Sequence, residues 1–167
     1  GAKGAFTVGL VGQDALLCDS IVLACGTQGN LRLIGVEHDR PSSFIQYSLL
    51  DPAAYSNKSI VVIGAGDSAI ENALALALGN DVHIVNRRSE FSRAKAGNLN
   101  AVLKAINSED SRLNCHYESA IATIEPPTVS GGDGAVVLMT PQGEHRIECD
   151  LVIARLGSTP PRAFLEK

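Results

Sequence analysis

The stretch from Ser59 to Arg93, SIVVIGAGDSAIENALALALGNDVHIVNRRSEFSR, constrains the fold more than any other part of the chain. Its opening, Ile60-Val61-Val62-Ile63, is apolar and β-branched without alternation, the pattern of a strand buried on both faces in a parallel sheet. Gly64-Ala65-Gly66-Asp67-Ser68-Ala69 follows at once and has the form G-x-G-x-x-A at a strand-to-helix turn. Gly64 serves the tight turn, Gly66 leaves room for a pyrophosphate to approach the backbone, and Ala69 still permits close packing of helix on strand. Ala69, Ile70, Ala73, Leu74, Ala77 and Leu78 recur at i, i+3, i+4 spacing, and Gly79-Asn80 is the expected stop. The first turn, with Asp67 and Ser68, offers free N–H groups and a positive dipole end to an anion. A second buried strand, Val82 to Val85, completes a βαβ unit.

The end of that second strand bears on the ligand. A dinucleotide site for NAD usually places Asp or Glu there, to accept from the ribose 2′-hydroxyl. Here the position holds Asn86, followed by Arg87, Arg88, Arg93 and Lys95, a basic cluster in a chain of formal net charge -4. Guanidinium forks suit phosphate oxygens and stay charged at every working pH, so the cluster reads as a 2′-phosphate site and favours NADP, with NAD as the lesser option. The alternative is a tight turn without a ligand beside a solvated basic face.

Length and composition narrow the rest. A chain of 167 residues with 45% hydrophobic and 19% charged residues is one globular domain of ordinary size. No apolar run is long enough for a membrane span, and no leader opens the sequence, so a soluble, cytoplasmic protein is expected. The acidic balance argues against non-specific nucleic-acid binding, since the only basic cluster is short and sits beside the glycine turn, and the 4% aromatic content leaves no stacking platform for single strands. Cys18, Cys25, Cys115 and Cys149 form no C-x-x-C pair and read as small buried hydrophobes. His38, His83, His116 and His145 are scattered, without metal-ligand spacing.

Before the glycine turn, Phe6, Val8 and Leu10 alternate with Thr7 and Gly9 as a half-exposed strand. Gly12-Gln13-Asp14 turns it into a return strand over Ala15 to Cys18, a β-hairpin. Leu31 to Tyr55 reads as a long, proline-punctuated connection. After the basic cluster a helix runs from Ala94 to Ile106, with Leu99, Val102, Leu103 and Ile106 on one stripe. A short strand over Leu113 to Tyr117 follows, then strands over Ala120 to Ile124, Ala135 to Thr140 and His145 to Cys149, joined by Pro and Gly turns. The last strand begins at Asp150. The expected fold class is α/β, a Rossmann-like parallel sheet with flanking helices and an antiparallel β-meander.

The run from Ile60 to Phe91 also resembles the pyridine-nucleotide domain of thioredoxin-reductase-like flavoproteins, whose pattern is V-x-G-G-G-D-S-A-x-E-x-A followed by H-R-R-x-x-F-R-A. Asp67, Ser68, Ala69, Glu71, Arg87, Arg88 and Phe91 fall on it. Asn86 replaces the usual His, and an extra Ser92 precedes Arg93. Asp19 to Gly29 is similar to that class's V-I-x-A-T-G hinge, and Asp150 to Pro160 to its exit motif V-x-x-A-I-G-x-x-P-N, with Arg155 where an apolar residue is usual. The interval in which thioredoxin reductases carry their redox cysteines, Phe44 to Pro52, has no thiol here, so dithiol chemistry from this chain is excluded. The resemblance therefore points to relatives without that pair, such as thioredoxin-reductase-like ferredoxin–NADP reductases.

That resemblance implies residues 1–28 as a hairpin and hinge strand adjoining an absent FAD domain. It makes 29–157 the NAD(P)-binding domain and 158–167 an exit segment toward the FAD domain. It implies FAD in the parent protein only, a fragment inactive alone, a ferredoxin-like electron partner, and room for a homodimer. The pyrophosphate is expected on Gly66, Asp67 and Ser68, the 2′-phosphate on Arg87 and Arg88, and the nicotinamide toward Glu71 and the Leu156-Gly157 loop, with Gly64, Ala69, Asn86 and Arg93 as further cofactor-binding residues. The hinges would be Gly26 to Gly29 and Gly157 to Pro161. Hydride transfer to a flavin requires positioning and not an acid or base, so no catalytic residue is nominated. Two rivals remain open, a free-standing NADP dehydrogenase, which would need a Tyr-x-x-x-Lys that this chain lacks, and an NADP sensor without turnover.

Overall fold

A computed structural model describes residues 6–22, 24, 32–129 and 132–157. The expectations for Cys25, for the hinge at Gly26 to Gly29 and for the exit segment from Ser158 onward lie outside these residues.

The centre is a five-stranded parallel sheet in the order β3-β10-β4-β5-β6. Its strands are β3 (Ile45–Gln46), β4 (Ser59–Ile63), β5 (Asp81–Val85), β6 (Leu113–His116) and β10 (Leu151–Ala154). Both faces are covered, and the unbroken apolar run of β4 is the result: Ile60 and Val62 pack with the helices, Val61 and Ile63 with the opposite layer. β10 divides in the same way, Leu151 and Ile153 to one side, Val152 and Ala154 to the other.

On the first face lie α1 (Asp67–Leu76) and α2 (Ala96–Ile106). Ala69, Ile70, Ala73 and Leu76 of α1 are fully buried. The apolar spacing predicts a longer helix, but α1 ends at Leu76, so Leu78 is turned out and 90% exposed while Leu76 takes its place in the core. Asn80 closes that end, its Nδ2 donating to the Leu76 and Tyr55 carbonyls and its Oδ1 accepting from the Lys58 N–H. In α2, Val102 is the fully buried member of the expected stripe, and Leu103 at the rim is 38% exposed.

The second face carries the antiparallel meander β7 (Ala120–Glu125), β8 (Gly134–Thr140) and β9 (Gly143–Cys149). Ile124, Val136, Leu138, Ile147 and Cys149 from this layer pack with Phe44, Ile45 and Tyr47. The connection expected over Leu31 to Tyr55 is therefore not wholly irregular. Ile45 and Gln46 pair with Val152 and Ile153 as an edge strand, too short to leave a periodic signal, and Pro52–Ala54 forms a 3-10 turn capped by the Asp51 carboxylate.

The expected hairpin forms as β1 (Phe6–Leu10) and β2 (Gln13–Cys18), but its turn is at Val11-Gly12 and not at Gly12-Gln13-Asp14, so Gln13 and Asp14 already belong to the return strand. It pairs only with itself, so Phe6, Leu16 and Leu17 remain exposed. The hinge strand expected after it does not form among the described residues: Asp19 to Val22 run as irregular chain, with Val22 89% exposed.

Candidate functional site

The strand order reverses between β4 and β10, and open α/β sheets bind ligands in the crevice at the carboxyl ends of the strands at such a point. A groove of about 640 Å³ opens there. Ten of the expected site residues line it: Gly64, Gly66, Asp67, Ser68, Ala69, Asn86, Arg87, Arg88, Arg93 and Gly157. Glu71 does not. It lies one turn down α1, where its Oε1 accepts from Asn98 Nδ2 at 2.9 Å, so its carboxylate ties α1 to α2.

The two glycines of the turn have different physical jobs. Gly64 has φ +130°, and a Cβ there would stand 2.5 Å from the Arg155 carbonyl oxygen. Only glycine lets β4 turn this close to the end of β10. Gly66 has an ordinary φ of −89°, and a Cβ would meet nothing within 4 Å. Its missing side chain leaves space in the groove itself. Gly66 is also the N-cap of α1 and makes no side-chain cap bond, so the first-turn N–H groups have no capping side chain to satisfy them. An anion is the natural complement.

Asp67 looks out of place in a site for phosphate. Its Oδ1 accepts from the Lys95 N–H at 2.9 Å and from Asn98 Nδ2 at 2.8 Å. These bonds hold its carboxyl below the usual range, the Lys95 N–H contributing most. The carboxylate thus braces the segment leading into α2, next to Arg93 in the groove wall.

The basic loop at the end of β5 is organised by Asn86, which is 2% exposed. Its Oδ1 accepts from the Arg88 N–H and its Nδ2 donates to the Glu90 carbonyl, both at 3.0 Å. Asn86 lines the groove, and its side chain also braces the turn that carries the arginines. Phe91, 2% exposed, pins the far side of the loop and meets Tyr117 edge to face at 5.6 Å. Backbone bonds Glu118 N–H to Arg88 carbonyl and Ser119 N–H to Asn86 carbonyl join the loop to the β6–β7 connection. Arg88 donates to Ser92 Oγ at 2.7 Å. Among the described residues no ion pair engages Arg87, Arg88 or Arg93.

Sequence reasoning passed over several walls of the groove: Arg32 to Val36, Glu90, Ser92, Ser119 to Ile121, and Arg155. The segment around Gly35 is held by Asp39, whose Oδ2 accepts from the Gly35 N–H at 2.7 Å, while Tyr47 Oη donates to the Asp39 carbonyl. No local motif marks these residues, since the fold alone brings them to one crevice.

The histidines are not scattered in space. His83, His116 and His145 form a row with ring centroids 5.3 Å apart at each step, and His83 Nδ1 stands 3.0 Å from His116 Nε2. Burial and the neighbouring imidazoles push His116 down to about 4. Among the described residues no group of three side chains has the geometry of a metal site. Burial raises the Cys115 thiol to about 11 and the Cys149 thiol to about 12, which leaves both unreactive at neutral pH. No helix among the described residues is long and apolar enough to cross a membrane.

The chain is similar to known proteins over most of its length. The family model for pyridine nucleotide-disulphide oxidoreductase matches residues 2–167. A ferredoxin–NADP reductase of Ignicoccus hospitalis is 30% identical over 143 residues, covering 84% of this chain and 44% of that protein. Bacillithiol disulfide reductase of Staphylococcus aureus superposes with a TM-score of 0.79 at 23% identity, over 97% of this chain and 47% of that one. Thioredoxin reductase of Lactococcus lactis gives 0.70 at 25% identity, over 92% and 50%. The chain thus spans half or less of the length of each of these proteins.

Proposed function

This chain belongs to the pyridine nucleotide-disulphide oxidoreductase family, and from that premise we propose that it is the NADPH-binding domain of a flavin-dependent oxidoreductase. The observation that carries the proposal is the open cradle at Gly66, in one groove with guanidinium groups that form no ion pair among the described residues. The residues fit the dinucleotide. The α1 N-terminus and Gly66 would hold the pyrophosphate, and Arg87, Arg88 and Arg93 the 2′-phosphate. Bound NADPH would supply a hydride for a flavin held by the rest of a longer polypeptide, in a cytoplasmic enzyme.

The chain's own side chains bind and orient. Asp67 and Asn86 fix the two loops, Phe91 anchors the basic one, and no side chain acts as acid or base. The FAD domain of the same polypeptide is proposed as the neighbour that covers the exposed hairpin, with residues 1–28 and 158–167 as the connections. A ferredoxin-like electron partner and a homodimer belong to the same reading, drawn from the relatives' names and the family resemblance.

Isothermal calorimetry tests the cofactor. NADP should bind about tenfold to a hundredfold more tightly than NAD, the roughly 1.5 to 3 kcal/mol of one charge-assisted contact reduced by solvent exposure. Glu90, the carboxylate that lines the basic end, is the residue through which an NAD preference would arise. Equal affinities would overturn the NADP assignment and leave the fold untouched.

A further inference from the structure

A second cavity, of about 730 Å³, lies beside the nucleotide groove on the β3 side of the sheet. Ser68, Arg155, Leu156 and Gly157 line both spaces, so they form the shared wall. Arg155 is the charged member of that wall. Its backbone is fixed on both sides: its N–H donates to the Ile63 carbonyl at 2.8 Å, and its carbonyl oxygen stands where Gly64 has no Cβ. The guanidinium reaches across the end of the sheet, where Nη1 donates to the Tyr47 carbonyl at 2.9 Å. That is its single protein acceptor among the described residues, and its Nε is buried without a partner. Among the described residues no carboxylate pairs with it. A half-buried guanidinium held this way is a costly arrangement for a purely structural residue, since an apolar side chain could end β10 without it.

We propose that Arg155 is a specificity-determining residue that makes the site prefer the reduced dinucleotide over the oxidised one. The inference rests on the NADPH reading above. If the basic loop takes the adenosine phosphate and the Gly66 turn takes the pyrophosphate, the remaining half of the ligand is directed to the opposite end of the groove, where Arg155 stands at the opening into the second cavity. The two redox forms differ there by one charge: the oxidised nicotinamide is a cation and the reduced ring is neutral. A fixed guanidinium repels the first and tolerates the second, while its free N–H groups can donate to the carboxamide oxygen of either. The effect is one of binding, and Arg155 takes no part in bond making.

The test is fluorescence and calorimetric titration of the chain with NADPH, NADP⁺ and adenosine 2′,5′-bisphosphate, in wild type, Arg155→Met and Arg155→Lys. Wild type should bind NADPH roughly five- to tenfold more tightly than NADP⁺, as expected for like charges a few ångströms apart in a partly solvated site. Arg155→Met should bring that ratio close to one, and Arg155→Lys, which keeps the charge, should preserve most of it. All three should bind adenosine 2′,5′-bisphosphate alike, which also reports an intact fold. A ratio unchanged in Arg155→Met, with bisphosphate binding intact, overturns the Arg155 assignment alone. Failure of the wild type to bind the bisphosphate overturns the NADP reading and Arg155 with it.

Discussion

The two ends of the nucleotide groove are built on different physics. The glycine turn works by backbone and by absence: a strand end packed too closely for any Cβ at Gly64, an open space at Gly66, and helix N–H groups without a side-chain cap. The basic loop works by side chains that project from a frame of buried polar and aromatic groups, Asn86 and Phe91, with the guanidinium groups left outside the frame. The difference teaches a division of labour. On the proposed reading, what all dinucleotides share would be read by backbone, which evolution of side chains cannot easily tune, and what distinguishes them by exposed cations that single substitutions can change.

Gly64→Val should have the largest effect, because it attacks the frame that both ends share. With φ +130° and a Cβ 2.5 Å from a backbone oxygen, it is expected to cost about 3 kcal/mol or more of stability. Urea denaturation with a wild-type midpoint would erase the distinction between the two glycines. Gly66→Val comes next. Its ordinary backbone angle and open surroundings predict a wild-type melting curve with NADP and NAD binding both lost, by about a hundredfold or more. Normal affinity in that variant would reduce the turn to a structural corner.

Arg87→Ala sharpens the comparison from the other end. NADP should weaken by about tenfold to a hundredfold, on the order of 1.4 to 3 kcal/mol, and NAD should change little. A parallel loss of both would mean that the loop shapes the groove as a whole. Asn86→Ala removes two hydrogen bonds at a buried position, and about 1 to 2 kcal/mol of stability with a several-fold loss of NADP affinity is expected. Unchanged titrations would show that the arginines need no frame.

The smallest effect is proton-linked. His116 has its folded-state value pushed down to about 4, against about 6.5 in an unfolded chain, so the folded form resists protonation. Its contribution is full above pH 6.5 and is lost as pH falls toward 4. His83, depressed by burial, and His145 face it, and Asp81 lies beside His83. Because the His116 carbonyl accepts from the Asn86 N–H, the loop is next to this row. His116→Asn should flatten the fall in melting temperature between pH 6.5 and pH 4, and an unchanged profile would place the acid sensitivity elsewhere.

What was legible in the sequence follows from the range of the forces involved. β4, the glycine turn and β5 were readable because a doubly buried strand must be apolar throughout and a close turn must be glycine, both local demands. The meander was readable from its Gly and Pro turns. β3 was not, because Ile45 and Gln46 become a strand only by pairing with residues more than a hundred positions away. The stripe on α1 misplaced Leu78 because helix length was set by Asn80, a tertiary cap and not a periodic signal. At the site, the motif residues line one groove, while the bonds that Glu71 and Asn86 make to neighbouring segments left no mark in the sequence. A carboxylate or an amide looks alike in sequence whether it meets a ligand or ties two loops together.

The position of β10 between β3 and β4 has a kinetic consequence. Among the described strands, the one in the middle of the sheet's crevice is synthesised after all the others, and both its partners precede it by about ninety to more than a hundred residues. Until it arrives, one edge of β4 stands unpaired, with Ile60 to Ile63 as an apolar ribbon open to any strand that meets it. Closing so long a loop costs entropy before the pairing repays it, so the sheet should complete in a late step. A nascent or truncated chain ending before Leu151 is expected to hold the β4-α1-β5 unit and still aggregate through that edge, which makes the final strand of this domain the seal on its solubility during folding.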